Sequence, residues 1–212
     1  MEAITTGKPH QETGEQLHLG TQIINFMGPE GSGKTSIAKR LAAESGKPRI
    51  VFGDVFRDLA ANDPGPYGDE CRAVFSEHRY IKPQMLFEIM VQRFKQEDLA
   101  GGFIIDGALR TVGEVQGFQA MLDEAGRSMP VTNVFLRVPG WMGIDRILKN
   151  AQNDRQRTDD DIDAILSRLS HFYHDLGART SLIERQPNWR LLHINGIGTI
   201  DETYDRVISA LA

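Results

Sequence analysis

The chain has 212 residues, a formal net charge of −5 and 40% hydrophobic residues. This length and composition predict one folded domain with an apolar core of its own, and the single cysteine, Cys71, excludes an internal disulfide framework. No apolar run approaches the roughly 18 residues that a membrane helix needs, no secretory leader is recognisable, and the acidic balance argues against a general nucleic-acid binder. We therefore expect a cytoplasmic protein that binds neither nucleic acid nor membranes.

Residues 1–20 lack apolar periodicity and predict a disordered tail, so the folded domain is expected to span 21–212. Beyond the tail, short apolar runs alternate with stretches of helical period. This alternation predicts an α/β fold with a five-stranded parallel sheet between layers of helices. The predicted strands are 23–27, 49–52, 103–107, 131–138 and 191–196, and the predicted helices are 36–44, 55–61, one that begins at 83, 112–125, 141–150, 160–176 and 199–211.

Residues 28–35, GPEGSGKT, match the phosphate-loop pattern G-x-x-x-x-G-K-[ST] between a predicted strand and a predicted helix. Glycines let successive N–H groups turn toward an anion, and the helix N-terminus adds its positive end. Lys34 would place its charge on the β- and γ-phosphates of a nucleotide. The alternative to a nucleotide-binding loop is a glycine-rich turn that binds nothing. The residues predicted to hold the donor nucleotide here are Gly28, Gly31, Ser32, Gly33, Lys34, Thr35 and Ser36.

Two residues are predicted to hold Mg²⁺ beside this loop. The Thr35 hydroxyl would ligate the ion directly, and Asp106, at the end of the third predicted strand, would hold it through water. Asp106 could instead be an ordinary turn aspartate.

Four segments resemble the adenylate kinase and nucleoside monophosphate kinase family in order and spacing. Residues 28–42 resemble its opening, 52–57 (FGDVFR) its T-G-D-x-[LF]-R element and 102–111 (GFIIDGALRT) its GF-[LI]-[LI]-D-G-F-P-R-T signature. Residues 157–160 with Arg168 resemble its R-x-D-D element and the arginine downstream. The resemblance implies a phosphate-loop NTPase-type fold and a monomeric kinase that transfers the γ-phosphoryl group of ATP, with Mg²⁺, to a nucleoside monophosphate. It also implies an acceptor-binding insert at about 52–83 and a short lid at about 150–159.

The resemblance assigns roles to individual residues. Guanidinium forks suit phosphate oxygens, and positioned charges spread over the transferring group are what phosphoryl transfer requires. The backbone at Gly198 would meet the donor adenine. The catalytic residues implied are Lys34, Arg110, Arg146, Arg157 and Arg168. The acceptor-binding residues implied are Phe52, Arg57, Gly107, Arg110 and Glu114.

The chain departs from the family pattern at four places. Phe52 stands for the usual threonine, Ala108-Leu109 for Phe-Pro, Glu114 for glutamine, and Asn150 for a second lid-hinge arginine. Three of these changes fall on the acceptor side.

An ionised glutamate only accepts hydrogen bonds, so Glu114 favours a base edge rich in N–H donors. We therefore expect that the acceptor is not simply AMP, or that AMP turnover is weak, unless Gln116 takes the base-reading position. The departures also leave open a kinase of another small metabolite and an ATP-binding protein that transfers nothing.

Overall fold

The computed structural model describes residues 17–77, 79, 81–150 and 162–212. These residues form a parallel five-stranded sheet in the order β2-β3-β1-β4-β5, with helices on both faces, which confirms the predicted α/β fold. All five residues of β1 are buried, as expected for a strand covered on both faces. The strands are β1 (Ile23–Met27), β2 (Arg49–Val51), β3 (Phe103–Asp106), β4 (Val131–Arg137) and β5 (Trp189–Asn195).

The helices follow the predicted alternation with strands, with differences in the two stretches discussed below. A single 3-10 turn, Glu97–Leu99, follows α4. The helices are α1 (Lys34–Ser45), α2 (Phe52–Asn62), α3 (Pro66–Ser76), α4 (Pro83–Phe94), α5 (Val112–Glu124), α6 (Gly140–Asn150), α7 (Ile162–His174), α8 (Leu176–Glu184) and α9 (Ile200–Leu211).

Helices α3 and α8 were not predicted. The sequence 63–66, DPGP, predicts an interruption of helical structure. Pro66 nevertheless begins α3, because backbone N–H groups in the first turn of a helix make no hydrogen bond within it, so the missing N–H of proline costs nothing there. Helix α8 buries only Arg179 and Ile183, so it shows no apolar stripe that a sequence pattern could detect. The predicted helix 160–176 was therefore too long at its C-terminal end, because α7 stops at His174 and a new helix begins at Leu176.

The core lies on both faces of the sheet. One cluster packs under α4, α5 and α8, and a second packs under α1 and α9. Leu17 and Leu19 rest against the second cluster, and the Leu17 N–H donates to the Glu44 carbonyl at 3.0 Å. Residues 17–20 therefore belong to the folded part, inside the stretch predicted as a tail. Among the described residues, no helix is both long and apolar enough to cross a membrane.

A buried carboxylate fastens α3 to the segment that leads into α4, within the predicted acceptor-binding insert. Glu70 Oε1 accepts from Arg79 Nη1 at 2.6 Å, and Lys82 Nζ lies 3.2 Å from Oε2. The Glu70 side chain is only 6% exposed. Hydrogen bonds from Arg79, followed by those from Lys82, outweigh desolvation and lower the pKa of Glu70 from 4.5 to about 2.

This low pKa predicts a pH-dependent contribution to stability. Because the folded-state pKa lies below the unfolded value, ionised Glu70 stabilises the fold above about pH 4.5, and the contribution disappears as pH falls toward about 2. We expect Glu70→Gln to lower the free energy of unfolding at pH 7 and to converge with the wild type on acidification, as measured by denaturant unfolding at stepped pH. Glu77→Gln, which removes an exposed partner of the same Arg79, is the matched control and should lose less. A Glu70→Gln deficit that stays constant down to pH 3 would contradict the assignment.

Candidate functional site

The phosphate loop leaves β1 and enters α1 at the carboxyl edge of the sheet. Gly31 and Gly33 hold left-handed conformations, with φ of 73° and 90°, so the loop curls as the sequence pattern predicts. Lys34, the first residue of α1, turns back over the loop, and its Nζ donates to the carbonyls of Gly28 at 2.7 Å and Pro29 at 2.8 Å. The loop therefore holds an ammonium group at its centre.

Helix α6 fixes the outside of the loop by a close backbone approach. A Cβ at Gly31 would overlap the carbonyl of Gly143, and a Cβ at Gly143 would overlap the carbonyl of Glu30. Glycine is thus required on both sides of this contact. Within the loop, Ser32 is buried, whereas Thr35 and Ser36 are exposed on the first turn of α1.

In the turn after β3, Ala108 and Leu109 stand where the family pattern has Phe-Pro. Leu109 has a left-handed φ of 56° and a fully buried side chain, a conformation that costs an L-residue about 1 kcal/mol or more. The next N–H, that of Arg110, donates to Glu114 Oε2 at 2.9 Å, and Thr111 caps α5 by accepting from the Glu114 N–H at 3.1 Å. Burial raises the pKa of Glu114, although its bond from the Arg110 backbone opposes that shift.

One cavity of about 70 Å³ joins the phosphate loop to this turn. The Arg110 guanidinium lies against Gly107, where a Cβ would come within 2.7 Å of Nη2. Arg168 reaches in from α7, with its Nε 3.7 Å from Glu30 Oε1 on the loop. Three predicted catalytic residues, Lys34, Arg110 and Arg168, thus share a cavity. Its lining is Phe26, Met27, Gly28, Glu30, Lys34, Gly107, Ala108, Arg110, Arg168, Phe172 and Arg179.

Arg146, on α6, does not line this cavity, and its guanidinium contacts the loop after β5. Its Nη2 donates to the carbonyls of Gly196 at 3.0 Å and Gly198 at 2.9 Å. Ile197 and Ile200 expose 45% and 41% of their surface next to these carbonyls in the chain, and the Ile200 Cδ1 atom would meet a Cβ at Gly33. An apolar surface thus adjoins the phosphate loop, on the segment predicted to meet the donor adenine.

Several predicted acceptor residues stand apart from the cavity. Arg57 is exposed and pairs with Asp54. Phe52 is 5% exposed and packs against the rings of Phe56 and Phe94. The prediction that Phe52 ends the second strand was wrong, since this residue begins α2. The segment forms a helix because its apolar residues, Phe52, Val55 and Phe56, are spaced as on one face of a helix.

Other predicted features keep the status of predictions. Arg157 and most of the predicted lid, 150–159, lie outside the described residues. Gln116 is exposed on α5, and Glu114 holds the backbone of the turn after β3, so a base-reading role for either one remains a prediction. Because the family resemblance assigns this turn, residues 107–111, to the acceptor, we call it the acceptor turn.

Arg49, the ion-pair partner of Asp106, was not predicted as a site residue. Arg49 Nη1 lies 2.9 Å from Asp106 Oδ2, with the two side chains 20% and 5% exposed. Parallel pairing sets Val51 opposite Asp106, so Arg49, two residues earlier, lies on the same face of the sheet. An arginine inside a predicted strand of a parallel sheet, whose strands are usually covered on both faces, was the available signal.

The two residues predicted to hold Mg²⁺ lie at the phosphate loop and at the end of the neighbouring strand β3. Among the residues described, no group of three or more His, Cys, Asp or Glu could hold a metal ion by itself. Asp106 is 4% exposed at the edge of the sheet beside the loop, and Thr35 is exposed at the start of α1. One carboxylate and one hydroxyl fit Mg²⁺, which takes most of its oxygens from phosphates and water.

A phosphate loop of this geometry, between β1 and α1 of a parallel sheet, defines the class of phosphate-loop nucleotide-binding proteins. The adenylate kinase family model matches residues 26–185. The chain is 31% identical over 186 residues to the adenylate kinase of Micrococcus luteus, which covers 88% of each chain. It is 30% identical over 190 residues to that of Thermus thermophilus, which covers 90% of this chain and 97% of the relative. The chain therefore belongs to the adenylate kinase family, and the resemblance noted in its sequence is confirmed.

The Arg49–Asp106 pair yields a stability prediction. Removing one partner of a buried ion pair leaves an uncompensated charge, so we expect Arg49→Gln to lower the free energy of unfolding by about 3 kcal/mol. Denaturant unfolding at pH 7 measures this change. Lys149→Gln, which breaks an exposed pair with Asp145, should cost much less, and adding Asp106→Asn to Arg49→Gln should restore part of the loss. Equal small effects of the two single variants would show that the pair is not buried as described.

Proposed function

We propose that this protein is a nucleoside monophosphate kinase that transfers the γ-phosphoryl group of ATP to the phosphate of an acceptor nucleotide. The observation that supports this most directly is the shared cavity. The phosphate loop with Lys34 forms one wall of this cavity, the turn that carries Arg110 forms another, and Arg168 also lines it. A protein that only bound ATP would need the first wall, whereas transfer between two nucleotides needs both.

In this proposal, an oxygen of the acceptor phosphate attacks the γ-phosphorus of ATP as the bond from that phosphorus to the β–γ bridging oxygen breaks, which releases ADP. The attacking oxygen is already anionic, so no protein group has to remove a proton. The task of the protein is to position two polyanions and to neutralise the charge between them. Lys34 would exchange the carbonyls of Gly28 and Pro29 for phosphate oxygens, and Arg110 would hold the acceptor phosphate.

The Thr35 hydroxyl, and Asp106 through water, would hold the Mg²⁺ that accompanies ATP. When bound, the ion would neutralise the β- and γ-phosphate oxygens. Arg49 donates to one carboxylate oxygen of Asp106 and would fix the orientation of this side chain.

The predicted acceptor-binding residues differ more from the family pattern than the phosphate loop does. The carboxylate of Glu114 is engaged by the backbone of the acceptor turn, and Phe52 is buried in the core. Both features support the expectation that the acceptor is not simply AMP, or that AMP turnover is weak. A base with N–H donors, such as cytosine, adenine or guanine, would suit the remaining acceptor capacity of Glu114.

Product analysis tests this proposal. The protein is incubated with ATP and Mg²⁺ and with AMP, CMP, UMP, GMP or dTMP in turn, and nucleotides are separated by chromatography. We expect stoichiometric ADP and nucleoside diphosphate with at least one acceptor. ATP binding without any diphosphate product would instead select a binding protein, and high turnover with a clear preference for AMP would refute the acceptor hypothesis alone.

A substitution of Arg110 tests the opposite wall of the cavity. Since its guanidinium would act on the acceptor phosphate, we expect Arg110→Ala to lower kcat/KM for the best acceptor by roughly 10²–10³. Calorimetry should show unchanged ATP binding, because the phosphate loop is intact. Arg185→Ala, at an exposed position after α8, is the control and should behave like the wild type. A loss of less than threefold in Arg110→Ala would remove this residue from the site.

A further inference from the structure

Arg179 is an arginine that the interior of a protein seldom accommodates. It lies on α8, is 1% exposed, and lines the cavity that contains Lys34, Arg110 and Arg168. A buried guanidinium is costly unless its donors are used. The partners of Arg179 therefore indicate what the residue does.

The first partner is the acceptor turn. Arg179 Nη1 donates to the Leu109 carbonyl at 2.9 Å. Leu109 is held with a φ of 56°, a conformation that persists in an L-residue only when its surroundings impose it. The Leu109 carbonyl and the Arg110 N–H belong to the same peptide unit, and Glu114 holds that N–H from the other side. Both polar atoms of the peptide that carries Arg110 are thus fixed.

The second partner is the end of α7. Arg179 Nη2 donates to the carbonyl of Phe172, and the guanidinium lies over the Phe172 ring, 4.9 Å from its centroid. Phe172 is among the last residues of α7, where carbonyls have no partner within the helix and the dipole favours a cation. The same helix carries Arg168, which reaches Glu30 of the phosphate loop.

We propose that Arg179 is a positioning residue that joins the acceptor turn to α7 and so sets Arg110 and Arg168 at the right separation across the cavity. This inference rests on the proposed function, but it concerns a residue outside the motifs by which that function was recognised. Arg179 acts through backbone carbonyls, so it holds the groups that would contact the nucleotides.

The kinetic test compares Arg179→Met with the wild type and with Arg185→Met, an equal substitution at an exposed position just after the same helix. Misplacement of an arginine by about 1 Å costs on the order of 10² in rate, so we expect kcat/KM for the acceptor to fall roughly 10²-fold in Arg179→Met. ATP affinity, measured by calorimetry, should stay within twofold. Arg179→Lys keeps the charge but offers one ammonium for two carbonyls and should fall between, and it replaces the methionine variant if that does not fold. A fall in ATP affinity as large as the fall in kcat/KM for the acceptor would indicate general damage and overturn the proposal, as would an unchanged kcat/KM.

A nucleotide-free test separates this inference from the proposed function. Hydrogen exchange of the Arg110 amide, followed by NMR without any nucleotide, should be at least tenfold faster in Arg179→Met and unchanged in Arg185→Met. Exchange of β1 amides should be unchanged in both. Failure of the wild type to make any diphosphate would refute the kinase proposal only, whereas unchanged exchange at Arg110 would refute the positioning role of Arg179.

Discussion

Strands β1 and β3 pair in parallel with Phe26 opposite Asp106, so the segments that follow them leave the sheet side by side. The segment after β1 is the phosphate loop, and the segment after β3 is the turn that carries Arg110. Phe26 and Asp106 are 80 positions apart in the sequence, and the backbone pairing of their strands brings the two segments to a common edge. The placement of Asp106 beside the loop and the cavity between the two segments depend on this register, since a slip of one residue would turn the Asp106 side chain to the other face of the sheet.

The arginines of the site are held in different ways according to their burial. Arg168 lies near the Glu30 carboxylate, and Arg49 pairs with Asp106. Arg179, which is the most buried, uses the carbonyls of Leu109 and Phe172. Carbonyl partners cannot be protonated, and they belong to the backbone, so the positions of these carbonyls are tied to the fold itself. The guanidinium that fixes the geometry therefore does not depend on the charge state of a neighbouring side chain.

Local signals accounted for most of the fold and for the conformation of the phosphate loop. The apolar run at 23–27 and the glycine spacing of 28–35 depend on contiguous residues, and the structure reproduces both. Helix α8 was missed because it lies between α7 and β5 with only two buried residues. The role of Arg179 could not be predicted, because arginine on a helix is ordinarily exposed and its partner Leu109 is 70 residues away.

The cations of the cavity already contact oxygen atoms of the protein, so a bound anion would have to replace some of those contacts. Lys34, Arg110, Arg168 and Arg179 line one small space, and four cations so close together would repel one another without compensation. Loop carbonyls receive the Lys34 ammonium, and Glu30 lies against Arg168. A polyphosphate that enters must replace some of these oxygens with its own, so its binding free energy is the difference between two sets of similar bonds. In the proposed function, this exchange would limit the net gain on nucleotide binding, which suits a phosphoryl transfer that must also release both products.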